Sequence, residues 1–114
     1  MATTRTMTAE DLLALPDDGR FFELVRGELR EVNASGFDAS AVAMIIGVKL
    51  GAYVFDRRLG HVTGADGGYV FERGPDTVYV PDVAFIRRGR LPAGPHPRFP
   101  EGPPDMAVEV VSPD

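Results

Sequence analysis

The chain has 114 residues, a length typical of one domain, and we therefore expect a single domain over residues 1–114. It contains no cysteine, which excludes disulfides, thiolate metal sites and cysteine nucleophiles. Its net charge of −5 disfavours broad electrostatic attraction to nucleic acid but is compatible with a small basic patch.

The first third of the chain predicts a short helix followed by a β-hairpin. Residues 8–15 begin with a threonine cap and carry an acid three positions later, and the Pro-Asp-Asp-Gly segment at 16–19 predicts the end of this helix. Residues 20–25 are aromatic and branched, whereas residues 28–32 alternate polar and apolar side chains. With a tight turn at Arg26-Gly27 between them, they predict an antiparallel hairpin.

The longest helix is predicted to start at Asp38 or Ser40 and to stop at Gly60. Six apolar residues recur at helical spacing and form one apolar face: Val42, Ile45, Ile46, Leu50, Tyr53 and Val54. Gly47 and Gly51 lie one turn apart, and we interpret them as a place where the helix packs closely on a sheet or a partner.

The next segments predict strands at residues 61–64 and 68–72, and a longer strand at 77–86 that Pro81 interrupts. Residues 87–104 are rich in proline, glycine and arginine and predict a mobile loop. A last strand at 106–111 is apolar on both faces apart from one acid, which is typical of a central strand covered on both sides.

Three acids stand out because they lie within apolar strand segments: Glu23, Asp82 and Glu109. Burying a lone carboxylate is costly unless the group is paired or bound to metal, and the valines around Glu109 make it the most unusual of the three. If their strands are neighbours, Asp82 and Glu109 would form a hard oxygen site suited to Mg²⁺. The alternative is that each acid faces solvent or pairs with an arginine.

Other chemistries have weaker support. His61 and His96 lack the spacing of a zinc site. The run Arg87-Arg88-Gly89-Arg90 could contact phosphate, but a solvated loop is the favoured interpretation.

Nothing in the sequence predicts export or membrane insertion. Residues 1–7 lack the basic start and apolar run of a signal peptide, and the longest apolar stretch, residues 41–48, is too short to cross a bilayer. We therefore expect a cytoplasmic protein with no membrane partner.

Four segments in register resemble the Uma-type putative restriction endonuclease family, which belongs to the PD-(D/E)xK, restriction-endonuclease-like superfamily. The segments cover nearly the whole chain in order: MTAEDLLALP at 7–16, FELVRGEL at 22–29, VPDVAF at 80–85 and VEVVSP at 108–113.

The resemblance implies an α/β (α+β) fold with a mixed, curved sheet flanked by helices. It also implies hydrolysis of DNA phosphodiesters with Mg²⁺ or Mn²⁺ as the cofactor. Position by position, Asp82 and Glu109 would be the metal ligands, and Glu23 would be the supporting catalytic acid of the first strand.

The chain departs from the family pattern at the basic group. Val111 stands where the superfamily's E-x-K motif has lysine, and no histidine is found near the start of the long helix, at residues 38–40. The resemblance places the basic group on a helix after the Ser-Pro element. Ser112-Pro113-Asp114 is typical of a helix start, so we expect the C-terminal helix and strand to be missing.

Two functions are compatible with these residues. The first is a Mg²⁺-dependent DNA endonuclease that is incomplete in this chain, and that is either inactive alone or completed by something else, such as a partner chain. The alternative is a non-catalytic remnant, or an interaction module, on the same fold. If the C-terminal helix and strand are missing, the apolar edges that they would cover are exposed and favour self-association. A homodimer is the commonest oligomer.

Overall fold

A computed structural model describes residues 6–111, which form two compact units. The first unit contains the described residues up to Asn33, with Gly68–Tyr79 and Arg98–Pro103. The second contains Ala34–Gly67, Val80–Pro97 and the described residues from Pro104 onward. The prediction of one domain over residues 1–114 stays a prediction, and the predicted helix start at 112–114 lies outside the described residues.

Two helices and seven strands occur within the described residues. In chain order they are α1 (Ala9–Leu13), β1 (Phe21–Val25), β2 (Glu28–Val32), α2 (Phe37–Asp56), β3 (Gly60–Thr63), β4 (Tyr69–Glu72), β5 (Thr77–Tyr79), β6 (Val83–Arg87) and β7 (Met106–Val108). The α+β class is confirmed. The described strands form two antiparallel sheets, of order β2-β1-β5-β4 and β3-β6-β7, instead of one mixed sheet.

The first unit begins with the predicted capping box. The Thr8 hydroxyl accepts a hydrogen bond from the Asp11 amide at 3.1 Å, and the Asp11 carboxylate accepts one from the Thr8 amide at 2.9 Å. These bonds satisfy two of the amides that a helix start leaves unpaired. They set α1 so that Ala9 and Leu12 are buried in one cluster with Leu24 of β1.

The predicted hairpin is confirmed by the register of β1 and β2, in which Leu24 lies opposite Leu29. Both turn residues have positive φ, 51° at Arg26 and 78° at Gly27, which is the geometry of a type I′ turn. This turn follows the right-handed twist of the strands. The hairpin therefore holds β1 in place for its second neighbour, β5, where Leu24 pairs with Val78.

In the second unit, α2 packs on β3 and β6. A Cβ atom built on Gly47 would lie 3.8 Å from Cγ2 of Val83, an ordinary contact distance, so the helix faces the sheet at this position. A Cβ atom on Gly51 would have nothing within 4 Å, so the predicted close packing at both glycines is wrong for Gly51. The buried residues of this unit are Val54 on α2, Pro81, and Val83, Ala84 and Ile86 on β6.

The C-terminal end of α2 differs from the prediction. The helix ends at Asp56 instead of reaching Gly60, and Arg58 takes the left-handed conformation with φ of 54°. Gly60 is the first residue of β3, with φ of 154°. A Cβ atom there would lie 2.1 Å from the carbonyl oxygen of Ile86, so glycine is required by the close approach of β6.

The predicted apolar face of α2 is wrong for half of its members. Val54 is buried and Ile46 and Leu50 are half-buried. Exposed members of the face are Val42, Ile45 and Tyr53, with exposed fractions of 45%, 55% and 52%. The periodicity identified the helix but not the side that faces the sheet, because apolar residues occur around most of its circumference.

Among the described residues, α2 is the one helix that is long and apolar enough to cross a membrane. The sequence prediction counted only residues 41–48 and missed that the apolar character extends over all 20 residues of Phe37–Asp56. Length and composition alone do not place the helix in a membrane, since core helices of soluble proteins share them.

The strand predicted at 77–86 is two strands in different sheets. β5 ends at Tyr79 and β6 starts at Val83. Pro81 lies between them and is fully buried. Since proline has no amide hydrogen, it cannot donate to a sheet ladder, and the pairing stops there.

The last predicted strand is also shorter and more exposed than expected. β7 ends at Val108, and it lies at the edge of its sheet as far as the structure describes the chain. Met106 has an exposed fraction of 42% and Val111 one of 89%. The prediction of a central, doubly covered strand is therefore wrong, because apolar composition does not determine whether a second neighbour is present.

A buried carboxylate ties the parts of the first unit together. Asp76 is 7% exposed, and its Oδ2 accepts hydrogen bonds from the Ala9 amide at 2.8 Å and from Nη1 of Arg73 at 2.9 Å. Arg73 also pairs with Glu10 and Glu101. Burial pushes the pKa of Asp76 up, but the amides of Ala9 and Gly74 and the Arg73 charge outweigh it and lower this pKa.

We predict that Asp76→Asn lowers the free energy of unfolding by about 1–3 kcal/mol, because a buried charge-assisted hydrogen-bond acceptor is lost. Urea denaturation followed by circular dichroism measures this change. Glu10→Gln is the matched control, since it removes an exposed partner of the same arginine. An equal loss in both variants would contradict the role of the buried carboxylate.

The lowered pKa of Asp76 also predicts a pH dependence. Its charged form stabilises the fold above the ordinary carboxyl pKa of 3.8, and this contribution is lost as the pH falls through the lower folded-state pKa. The difference in unfolding free energy between wild type and Asp76→Asn should therefore shrink below pH 3.8. Denaturation curves at a series of pH values test this, and a constant difference would refute it.

Candidate active site

Asp82 and Glu109 lie at the same end of the β6–β7 ladder. The last pair of the ladder is Val83 opposite Val108. Because the strands are antiparallel, continuing this register one step beyond the last pair would set Asp82 opposite Glu109. Side chains of opposite residues project to the same face of a sheet, with Cβ atoms about 4.5–5.5 Å apart. The two acids therefore follow the same end of the ladder, and their role as metal ligands stays a prediction.

The Asp82 carboxylate is held by the chain that follows β7. Its Oδ2 accepts a hydrogen bond from the backbone amide of Val110 at 2.7 Å. This bond continues the pairing of β6 and β7 through a side chain after the backbone ladder has ended. It fixes the carboxylate above the end of β7, and it occupies only one of the two oxygens.

The surroundings of the two acids differ. Asp82 is half-buried and follows the buried Pro81, whereas Glu109 is exposed. The burial argument that made Glu109 the most unusual of the three acids is therefore wrong. Val108 and Val110 are half-buried on either side of it, and alternation along an extended chain points Glu109 the other way.

Glu23 lies in the first unit, on β1. It is half-buried and lies opposite Arg30 in the β1–β2 register. Its neighbour Leu24 is fully buried, so alternation places Glu23 on the face of the sheet that points away from that core. The sequence analysis selected Glu23 because its neighbours are apolar, but those neighbours are apolar because they pack in the core on the opposite face of the sheet.

The donor set at the end of β6 and β7 is compatible with Mg²⁺. Magnesium is typically held by one or two carboxylates and keeps several of its waters. Asp82 and Glu109 supply two carboxylates in register. Within residues 6–111, no group of three or more histidine, cysteine or acidic side chains is placed to hold a metal ion. A metal here would therefore depend on water or substrate oxygens for its remaining ligands.

The arginine run 87–90 lies away from these acids. Arg87 ends β6 while Asp82 precedes it, five residues or about 16 Å apart along an extended strand. Asp105 accepts a hydrogen bond from the Arg87 amide at 2.7 Å and pairs with Arg90 at 3.3 Å. The Arg87 amide is the main cause of the lowered pKa of Asp105. Sequence analysis missed this cluster because its members are distant in the chain.

No basic side chain occupies the position of the superfamily's lysine. Val111 stands there with an exposed fraction of 89%. An exposed apolar residue therefore stands where the superfamily motif has its basic residue.

Comparison with known families identifies the family of this chain. The family model described as "Uma2: Putative restriction endonuclease" matches residues 9–114, which is most of the chain. No curated protein matches the chain. The match includes the segments that carry Glu23, Asp82 and Glu109. This chain is therefore a member of the Uma2 putative restriction endonuclease family, with its restriction-endonuclease-like fold.

Proposed function

We propose that this chain carries the metal-binding part of a divalent-metal-dependent DNA endonuclease site, with Asp82 and Glu109 as ligands of Mg²⁺ or Mn²⁺. The observation that supports this most directly is the β6–β7 register, which would set the two acids opposite each other if it continued one step beyond Val83 and Val108. Membership of the family supports a nuclease class, and DNA is proposed as the substrate by resemblance to that family.

The two acids would have different tasks. Asp82 is oriented before any ligand arrives, because the Val110 amide holds one of its oxygens. Little conformational freedom would then be lost when the other oxygen binds a cation. Glu109 is exposed, so a large substrate such as a DNA backbone can approach it. Glu23, on the first strand, is proposed as the supporting acid by resemblance to the family.

The bound metal would lower the pKa of a water molecule and offset negative charge that develops on the phosphate. The chain's own contribution is to hold and orient the cation through carboxylate oxygens. A positively charged side chain that stabilises the transition state is commonly needed as well. Val111 cannot supply it, and this favours the second candidate function, a non-catalytic module that has kept the fold.

Metal binding tests the site directly. We expect titration calorimetry with Mn²⁺ to show binding to the wild type and a loss of at least about tenfold in affinity, which is about 1.4 kcal/mol, in Asp82→Asn and in Glu109→Gln. Asparagine keeps an acceptor for the Val110 amide, so the Asp82 variant should stay folded.

Asp66→Asn is the matched control for this titration, because Asp66 is an exposed acid in a turn of the same unit. It should bind Mn²⁺ like the wild type. Binding that is unchanged in both site variants would refute the assignment of Asp82 and Glu109.

Cleavage tests the catalytic function separately. With Mn²⁺ and supercoiled plasmid, the endonuclease proposal predicts nicking that Glu109→Gln abolishes. If the wild type binds Mn²⁺ but does not nick, the module with an incomplete site is the correct function. In that case Val111→Lys, which restores the superfamily's lysine, should produce nicking, with Val111→Met as the uncharged control of similar reach.

A further inference from the structure

Helix α2 presents a row of apolar side chains to solvent. Phe37 and Phe55 are each 84% exposed, Met44 is 67% exposed and Val48 is 61% exposed. At 3.6 residues per turn, these four positions fall within about 40° of one another around the helix. With Ala41 and Gly51 between them they form one surface, which we call the α2 stripe: Phe37, Ala41, Met44, Val48, Gly51 and Phe55.

The spacing of the α2 stripe is that of a helix that pairs with another helix. Successive members are separated by four, three, four, three and four residues. This is the heptad pattern, in which one seam of a helix faces a partner helix along its whole length. No charged residue lies in the stripe. The charged residues of α2 are Asp38, Lys49 and Asp56, and they lie to one side of it.

The stripe is separate from the side of α2 that holds the second unit together. The helix contacts the sheet through the line of Gly47 and Val54, about 100° away from the centre of the stripe. A Cβ atom on Gly51 would have nothing within 4 Å, so the surface is open there. The stripe therefore stays accessible when α2 is packed on β3 and β6.

The exposed area is that of an interface and not of scattered surface residues. Large aromatic side chains cover roughly 150–250 Å² each, so the two phenylalanines expose about 340 Å² and the whole stripe about 500 Å². Burying the stripes of two copies would remove about 1,000 Å² from water, which reaches the lower bound of specific protein–protein interfaces.

The positions of the stripe are symmetric about residue 46. If two copies of α2 pair antiparallel, Phe37 faces Phe55 of the second copy, Ala41 faces Gly51, and Met44 faces Val48. Every member is then matched by another member, as a two-fold interface requires. The small pair lets the helices approach, and the antiparallel arrangement also aligns the helix dipoles favourably.

A lipid surface fits the stripe less well. Helices that lie on membranes carry lysine and arginine along their polar face. Lys49 is the one basic residue of α2, and the chain has a net charge of −5. The electrostatic attraction between this helix and an anionic bilayer would therefore be weak.

We propose that the α2 stripe is a self-association surface, through which two copies of this chain form a two-fold symmetric, antiparallel dimer. This inference is independent of the metal site.

Sedimentation velocity of the full chain tests the proposal. The wild type should sediment as a dimer, and Met44→Glu/Val48→Glu should sediment as a monomer, with a dissociation constant raised at least about 100-fold. Val42→Glu/Tyr53→Glu is the matched control, because it adds the same charges at exposed apolar positions of α2 outside the stripe. The control should stay dimeric. A monomeric wild type, or a control that dissociates equally, would overturn the proposal.

Cysteine cross-linking tests the pairing without disrupting the stripe, and the chain has no native cysteine to interfere. An oxidised mixture of Met44→Cys and Val48→Cys chains should give more covalent dimer than either variant alone. Preferential self-linking of Met44→Cys would indicate a parallel pair and overturn the antiparallel arrangement.

The membrane alternative is tested with the same variants. Wild type and Met44→Glu/Val48→Glu are mixed with phosphatidylcholine–phosphatidylserine vesicles and separated by flotation. We expect neither protein to float. Flotation of the wild type that the stripe substitutions abolish would assign the surface to lipid and overturn the dimer.

Discussion

The missing amide hydrogen of Pro81 is the constraint on which the arrangement of the strands depends. The apolar segment 77–86 has the composition of one long strand, but a sheet ladder cannot continue through a residue that does not donate. The chain therefore leaves the first sheet after Tyr79 and enters the second at Val83. Asp82 lies between the buried Pro81 and the start of β6, and its side chain accepts the Val110 amide just beyond the end of the ladder with β7.

The candidate site follows from this local geometry. Asp82 accepts the Val110 amide just beyond the end of the ladder, and Glu109 follows β7 at the same end. Glu109 is exposed although its neighbours are valines, so the proposal that it binds a metal rests on its position in the chain and not on burial. Val111 stands at the position of the basic residue, so binding of a metal by this chain would not by itself imply cleavage of DNA.

Helix α2 shows how composition and orientation can be confused. Its apolar residues are numerous enough to suggest several faces, and the face chosen from periodicity includes Val42, Ile45 and Tyr53, which are exposed. The side that packs on the sheet is the one that carries Gly47, near Val83, and the buried Val54. The larger apolar side chains of the α2 stripe lie on another side and are exposed to solvent.

The sequence by itself determined the features that depend on a few neighbouring residues. These are the Thr8–Asp11 capping box and the Arg26-Gly27 turn. Their hydrogen bonds and backbone angles are local, so the residue types are sufficient to predict them. The tertiary structure decided which strands are neighbours, that β7 lies at an edge, and which acid is buried. Those properties depend on contacts between distant segments, and no local pattern specifies them.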